Sequence, residues 1–187
     1  MGGGGVGLEC HRHPYGVGMA TWIEFANEAP DVAALAERRL TATGLLLLAT
    51  LRGDGFPRIS PVEPAVDGDR LVLHDGYLHM GMMGGSTKAL DLRRDPRCAL
   101  HTATADKQVS DGDAKFWARG VEVTSDDDLE RIAEGWKERT GWRPAPGTFH
   151  VFLADLLGAS SVQVRGDVMF VETWKPGQGT TVVEKRE

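Results

Sequence analysis

The fold is predicted outward from one stretch, Gly84-Gly85-Ser86-Thr87-Lys88-Ala89-Leu90-Asp91-Leu92-Arg93-Arg94-Asp95-Pro96-Arg97. Ser86 is a good N-cap and predicts a helix over residues 87–94, which ends before Pro96 because a residue preceding proline resists the α region. A helix start with unpaired N–H groups, two hydroxyls and a lysine can hold an anion such as a phosphate. The pattern also fits an ordinary capped connector helix, and this stretch alone leaves both interpretations open.

The sequence before this stretch changes from a helical to an extended pattern. Apolar residues at helical spacings predict one or two amphipathic helices that end near Gly44, namely Trp22, Phe25, Val32, Leu35 and Leu40. A continuous apolar run, a Gly-Asp-Gly turn and a second run predict strands over residues 45–51 and 56–62. Asp67-Gly68 and Asp75-Gly76 are further hairpin signals.

The sequence after the stretch again favours strands. Segments 98–102, 115–124, 149–155, 161–165 and 168–174 are predicted to be extended, and a helix is expected between the Ser125 cap and Gly141. Because strands follow one another in hairpins without regular β–α alternation, the pattern predicts a mainly β protein, a small antiparallel barrel with added helices.

The chain is expected to form one globular domain over residues 19–176. The glycine-rich segment 1–18 has no apolar periodicity and is expected to be disordered, and the polar tail over residues 177–187 is expected to be frayed.

The overall composition excludes several classes of function. With 187 residues, a net charge of −6 and a pI near 5.5, the chain has no electrostatic reason to bind nucleic acid. Cys10 and Cys98 lie far apart and do not suggest a disulfide framework, so a cytoplasmic location is expected. The apolar run 45–48 is too short to span a bilayer, and no membrane partner is expected.

Residues with obvious catalytic spacing are absent from the sequence. We find no paired carboxylates, nucleophile elbow, P-loop, dinucleotide fingerprint or zinc spacing, so no residue is assigned as catalytic or metal-binding. If the protein is an enzyme, a cofactor is therefore expected to supply its chemistry. A second anion signal is Arg58 in the segment 57–62, because the planar guanidinium suits a phosphate, although this segment taken alone favours a plain edge strand with a solvated arginine.

Three motifs, taken together and in order, resemble the pyridoxamine 5'-phosphate oxidase-like family, the FMN-binding split β-barrel group. They are Arg58-Ile59-Ser60-Pro61-Val62, Gly85-Ser86-Thr87-Lys88-Ala89 and Arg94-Asp95-Pro96-Arg97, and the resemblance extends from about residue 35 to 174. It implies a six-stranded antiparallel split β-barrel, a homodimer, and a flavin or deazaflavin held at the dimer interface.

The resemblance also implies a set of cofactor-binding residues. Arg58 would hold the cofactor phosphate together with Ser86, Thr87 and Lys88, with Thr87 standing where the family has an arginine. The remaining residues would lie along the flavin ring: Ile59, Ser60 and Val62 through their backbone, Met82 beside it, and Lys115 near it.

Two departures concern the substrate. Glu63 stands where the oxidases proper have a lysine that grips the substrate phosphate, and the C-terminal Arg-x-His of those oxidases is missing. The resemblance therefore does not imply oxidation of pyridoxamine phosphate. It implies an FMN-binding oxidoreductase that transfers hydride to or from an unknown small organic substrate.

Two alternatives remain open at this point. One is a reductase that uses the deazaflavin coenzyme F-420, whose acidic tail Arg93, Arg94 and Arg97 could hold if they face the cleft. The other is a non-catalytic flavin- or haem-binding barrel, for which the candidate axial ligands are His74, His79, His101 and His150.

Overall fold

The computed structural model describes residues 20–186, so segment 1–18 and its expected disorder lie outside the described residues. The helices are α1 (Trp22–Glu28), α2 (Pro30–Thr43), α3 (Thr87–Arg94) and α4 (Asp126–Thr140). The strands are β1 (Leu46–Leu51), β2 (Pro57–Val62), β3 (Val66–Asp67), β4 (Arg70–Leu71), β5 (His79–Met83), β6 (Arg97–Thr102), β7 (Asp113–Glu122), β8 (Phe149–Arg165), β9 (Val168–Lys175) and β10 (Gly179–Arg186).

The helix boundaries follow from local sequence signals. Thr21 and Glu24 form a reciprocal capping box at the start of α1. Pro30 occupies the first turn of α2, and Gly44 ends that helix in the left-handed region with φ +62°. The expected helix boundaries at Gly44 and Gly141 are confirmed, as is the helix over residues 87–94.

The sheet is antiparallel throughout and forms a barrel that is open on one side. Six of its strands pair in the order β2-β1-β6-β7-β8-β5, and an isolated bridge between Pro64 and Met80 brings the two ends of this series together. Strands β9 and β10 extend from the second half of β8, giving eight strands in the described sheet rather than six. The expected mainly antiparallel β fold with added helices is confirmed.

Two expectations about the C-terminal third are wrong. Residues 149–165 form one strand of 17 residues instead of two. Its first half pairs with β5 and its second half with β9, so a single long strand joins two parts of the sheet. The tail expected to be frayed forms β10, whose residues 179–186 pair antiparallel with β9.

Aromatic rings from both ends of the chain form the centre of the core. Phe25 lies 4.9 Å from Trp174 and 5.8 Å from Phe116, measured between ring centroids, and all three rings are at most 1% exposed. Trp174 Nε1 donates a hydrogen bond of 3.0 Å to Glu28. The last strands and the first helix therefore pack as one unit around the barrel.

The cysteines and the apolar character of the helices can also be compared with the sequence analysis. Cys98 is a free, buried thiol, and burial raises its pKa to about 12, so it is a poor nucleophile. Cys10 lies outside the described residues. Among residues 20–186, no helix combines the length and apolar character needed to cross a membrane.

Candidate functional site

The first cluster of predicted site residues lies along the seam between β2 and α3, which we call the β2–α3 seam (residues Arg58, Ser86, Thr87 and Lys88). Arg58 Nε donates a hydrogen bond of 2.6 Å to Asp91 Oδ2, and Thr50 Oγ1 donates to the same oxygen at 3.0 Å. Arg58 and Thr50 face each other across the β1–β2 pair, so one buried carboxylate binds both strands to the helix. The sequence analysis did not assign Asp91 a role.

The charge of Asp91 is held in place by its neighbours. Burial opposes the charged form, but hydrogen bonds from Arg58, Thr50 and Arg94 outweigh it and keep the pKa of Asp91 below its ordinary value. This pairing occupies only Nε of Arg58, and the two terminal guanidinium nitrogens have no hydrogen-bond partner among the described residues. The side chain is 30% exposed, so a phosphate could reach those two nitrogens.

The start of α3 completes the seam. Ser86 is the N-cap, as expected, but its hydroxyl makes no capping hydrogen bond. The Ala89 N–H donates to the Ser86 carbonyl oxygen at 3.2 Å, whereas the N–H groups of Thr87 and Lys88 have no backbone partner among the described residues. Those two N–H groups and the Ser86 hydroxyl are therefore available to an anion. Lys88 Nζ lies 3.3 Å from the carbonyl oxygen of Pro61 on β2, on the same seam as Arg58.

Gly84 fixes the loop that leads into this helix. Its N–H donates to the carbonyl oxygen of Thr148 at 2.7 Å, and a Cβ at position 84 would lie 3.0 Å from that oxygen. His150 Nε2 lies 2.9 Å from the Gly84 carbonyl oxygen, and His150 Nδ1 lies 3.0 Å from Arg93 Nη2. A side chain at position 84 would therefore push the loop away from the start of β8, which explains the glycine.

The arginine cluster after the helix is paired within the chain. Arg93 Nε donates to Glu122 at 2.7 Å, Arg94 pairs with Asp91 at 3.4 Å, and Arg97 binds Asp95. Hydrogen bonds from Arg97 lower the pKa of Asp95 to about 2. Each of the three arginines therefore has a carboxylate partner within the chain, although Arg94 shares Asp91 with Arg58. This pairing weighs against the idea that the cluster holds an acidic coenzyme tail.

A second group of predicted residues lies on the outer face of the sheet. A groove of about 380 Å³ crosses β2, β1, β6 and β7, and we call it the sheet groove; Ile59, Ala49, Ala99, Trp117, Leu47, His101 and Lys115 line it. Ile59, Ala49, Ala99 and Trp117 form a transverse row by strand register, small in the middle and bulky at its ends. Lys115 lies three strands from β2, so one chain alone does not bring it to the β2–α3 seam.

The backbone of β2 carries the three residues predicted to line the ring, Ile59, Ser60 and Val62. Within residues 20–186, β2 is an edge strand whose one partner is β1, so alternate N–H and C=O groups point away from the sheet. Along it Ile59 is 72% exposed, Ser60 is half-buried and Val62 is 4% exposed. An edge backbone of this kind can hydrogen-bond the polar rim of a bound ring.

Met82 belongs to a third location, which we call the aromatic cavity. This cavity of about 480 Å³ lies between β5, the end of β2 and α4; among its lining residues are Glu63, Gly81, Met82, Met83, Trp136, Arg139, Trp142 and Phe149. The rings of Trp136 and Phe149 meet edge to face with centroids 5.4 Å apart. The sequence analysis assigned the two tryptophans of this cavity no role. The one sequence signal for it is Gly81, because a glycine within a strand pattern marks a place where another group can come close to the backbone.

The four histidines proposed as haem ligands are scattered. His101 lines the sheet groove, and both ring nitrogens of His150 have neighbours. His79 is 3% exposed under α4, neither of its ring nitrogens has a partner among the described residues, and burial is the main cause that lowers its pKa to about 4. His74 Nε2 lies 3.7 and 3.8 Å from Asp75 and Asp128, whose carboxylates Arg131 already neighbours.

Solved structures with the same fold were found by comparison. A pyridoxamine 5'-phosphate oxidase-related, FMN-binding protein from Nostoc punctiforme is 16% identical, with 85% of this chain and 96% of that chain covered and a TM-score of 0.60. PhzG from Burkholderia lata is 12% identical, with 89% of each chain covered and a TM-score of 0.56. A heme-binding protein from Mycobacterium smegmatis is 19% identical, with 76% of this chain and 58% of that chain covered and a TM-score of 0.51.

The similarity is one of fold. No family model matches the chain, and no curated protein matches it. The chain has the split-barrel fold of the pyridoxamine 5'-phosphate oxidase-related proteins, and the resemblance inferred from the three motifs is confirmed at this level. At identities between 10% and 20%, the comparisons do not extend to activity.

Proposed function

We propose that the protein binds FMN and acts as an oxidoreductase on a small organic substrate. The observation that carries this proposal is the β2–α3 seam. Two cations, an N-cap hydroxyl without a capping bond and the unpaired N–H groups of a helix start share one seam, and Asp91 fixes the orientation of Arg58. A phosphate is the ligand that such donors suit best.

The chain's own residues would bind and orient the cofactor. Arg58 and Lys88 would neutralise the phosphate, while Ser86 and Thr87 would donate to its oxygens. The outward N–H and C=O groups of β2 would hydrogen-bond the polar edge of the ring. When bound, the flavin supplies hydride transfer, and this is the chemistry for which the chain offers no catalytic side chain of its own.

A homodimer with the cofactor at its interface is part of this proposal. The sheet groove is an apolar face with Ile59 72% and Trp117 43% exposed, and its central positions are alanines that allow another surface to approach. A second copy packed there would cover both side chains and could bring Lys115 of one chain to the seam of the other. We place this dimer in the cytoplasm, since the buried thiol of Cys98 suits a reducing compartment.

The test is the visible absorption spectrum of the purified protein, which we expect to show a flavin. Arg58→Ala and Lys88→Ala should each weaken FMN binding by about 1.5–3 kcal/mol, the range for hydrogen bonds to charged groups. The FMN dissociation constant can be measured by quenching of flavin fluorescence. Arg52→Ala is the matched control, because the one side-chain partner of the Arg52 guanidinium in the described structure is Asp54 in the neighbouring turn.

Two outcomes would contradict the proposal. One is a colourless protein that fails to bind added FMN. The other is equal FMN affinity in wild type, Arg58→Ala and Lys88→Ala. A Soret band in place of the flavin spectrum would favour the non-catalytic haem-binding alternative, and tighter quenching of coenzyme F-420 than of FMN would favour the deazaflavin alternative.

A further inference from the structure

The aromatic cavity has the walls of a site for a flat ligand. Its volume of about 480 Å³ falls within the range of small-molecule sites, roughly 300–1,000 Å³. Trp136, Phe149 and Met82 supply apolar surface, and Trp142, whose ring centroid lies 6.4 Å from that of Trp136, lines the same space. Aromatic walls of this kind favour an aromatic ring, because offset or edge-to-face contacts add to the burial of apolar area.

A positive charge that has no partner within the described part of the chain lines the same cavity. Arg139 of α4 makes no hydrogen bond or ion pair with any other residue of segment 20–186. Two acids of the helix, Glu130 and Glu134, bind Arg143 instead. Gly135 leaves room for the guanidinium, since a Cβ there would lie 3.0 Å from Arg139 Nη1.

A negative charge limits what the cavity can accept. Glu63, at the end of β2, also lines it and forms no ion pair with another described residue. One arginine attracts one anionic group, and Glu63 disfavours a second negative charge such as that of a phosphate dianion. The carboxylate of Glu63 also favours a ligand with a hydrogen-bond donor, for instance a hydroxyl or amino group.

We propose that the aromatic cavity binds a planar aromatic monocarboxylic acid, with the ligand carboxylate on Arg139 and its ring against Trp136. A hydroxyl or amino group on the ring donates to Glu63. Binding of this acid does not depend on the proposed function. Its assignment as the substrate rests on the proposed function, since Met82 lines the cavity and is also expected beside the flavin.

The experiment uses 2-naphthoate as the probe, with 2-naphthalenemethanol and 2-naphthyl phosphate as comparison compounds, and measures their dissociation constants by calorimetry on the full chain. We expect 2-naphthoate to bind more tightly than both. Arg139→Gln should weaken 2-naphthoate about tenfold to a hundredfold and leave 2-naphthalenemethanol unchanged. Arg139→Lys should give an intermediate loss, because it keeps the charge and loses the planar fork.

Arg38→Gln is the matched control, an exposed arginine on α2 that should not change the affinity. The role of Glu63 is tested separately, since 6-hydroxy-2-naphthoate should lose affinity in Glu63→Gln more than 6-methoxy-2-naphthoate does. Circular dichroism of each variant checks that it is folded. No binding of 2-naphthoate, equal binding to Arg139→Gln, or tighter binding of 2-naphthyl phosphate would overturn the proposal.

Flavin content measured on the same samples separates the two proposals. If 2-naphthoate binds in an Arg139-dependent manner to a protein that takes no FMN, the cavity assignment stands and the proposed function fails. If FMN binds and 2-naphthoate does not, the proposed function stands and the cavity assignment fails.

Discussion

At the scale of single residues, the β2–α3 seam depends on the pairing of Arg58 with Asp91. Arg58 is visible in the sequence as a candidate anion ligand, but its orientation comes from Asp91, which lies 33 positions later. Asp91 reads in the sequence as one of many helix-surface charges. Only the packing of α3 against the edge of the sheet turns it into a buried carboxylate that positions an arginine.

His79 gives a prediction at this scale, because its ring is buried and uncharged. Its pKa falls from 6.5 to about 4, mainly through burial and further through the charges of His74 and Arg139. A histidine in the unfolded chain takes up its proton near pH 6.5, so the folded protein loses stability as the pH falls from 6.5 to 4 and keeps this contribution above 6.5. Between pH 6.5 and 4, the free energy of unfolding of His79→Phe should therefore fall by roughly 3 kcal/mol less than that of the wild type.

Urea unfolding at a series of pH values measures this difference. Phe56→Leu, a change to a side chain that is 69% exposed and carries no titratable group, is the control and should follow the wild-type pH dependence. If His79→Phe and wild type lose stability in parallel between pH 6.5 and 4, His79 is not held neutral in the folded protein.

The contact between α4 and β5 depends on a glycine, Gly81. The Trp136 indole of α4 lies against β5 at Gly81, where a Cβ would come within 2.7 and 2.8 Å of Cζ2 and Cη2. Gly81→Ala should therefore destabilise the protein by about 1–3 kcal/mol, although alanine ordinarily suits a strand better than glycine. It should also weaken 2-naphthoate binding, because the displaced indole intrudes into the aromatic cavity.

Gly85→Ala serves as the matched control for this prediction. A Cβ at position 85 would meet nothing within 4 Å, so its stability should stay within about 0.5 kcal/mol of wild type. Both free energies of unfolding come from urea titrations. Equal stability of the two variants would show that the indole moves aside without cost.

Sequence patterns predict elements with local signals well and miss those that depend on distant partners. Helix α3 begins and ends where a serine cap and a proline indicate. Strand β10 was missed because its polar, charged sequence is extended only through pairing with β9. Strand β8 was predicted as two pieces because Gly158 interrupts its pattern. In the structure the strand continues through this glycine, where a Cβ would lie about 3.1 Å from the Trp117 ring and from the Trp174 carbonyl oxygen.

The candidate site was predictable from the sequence only where its residues lie in short motifs. The end proposed to hold the phosphate lies in two short motifs, each with charged or hydroxyl residues at a fixed spacing, and these meet on one seam. The aromatic cavity was not predictable, because Glu63, Met82 and Trp136 come from three separate segments. Nothing local to Arg139 indicates that its guanidinium stays unpaired while Arg143 takes the neighbouring acids.

The whole molecule is expected to depend on a second copy of itself. Ile59→Glu should convert the proposed dimer to a monomer, because it places a charge within an apolar interface. The same variant should lose FMN, whose site would be completed only in the dimer. Analytical ultracentrifugation and flavin absorbance measure the two effects.

Ile23→Glu is the matched control, since Ile23 is 51% exposed on α1 and lies away from the sheet groove. It should remain dimeric and retain FMN. A dimer that survives Ile59→Glu would rule out the sheet groove as its interface, and a monomeric wild-type protein would rule out the dimer.

The packing of Trp174 on Phe25 has a consequence for how the protein is made. These rings are 149 positions apart, and Glu28 accepts hydrogen bonds both from Trp174 and from the Gly177 N–H. During translation, helix α1 leaves the ribosome long before its partners exist, so an apolar face remains exposed for most of synthesis. Contacts over such separations also slow folding, and the nascent chain is therefore expected to be a client of chaperones that shield its first helix.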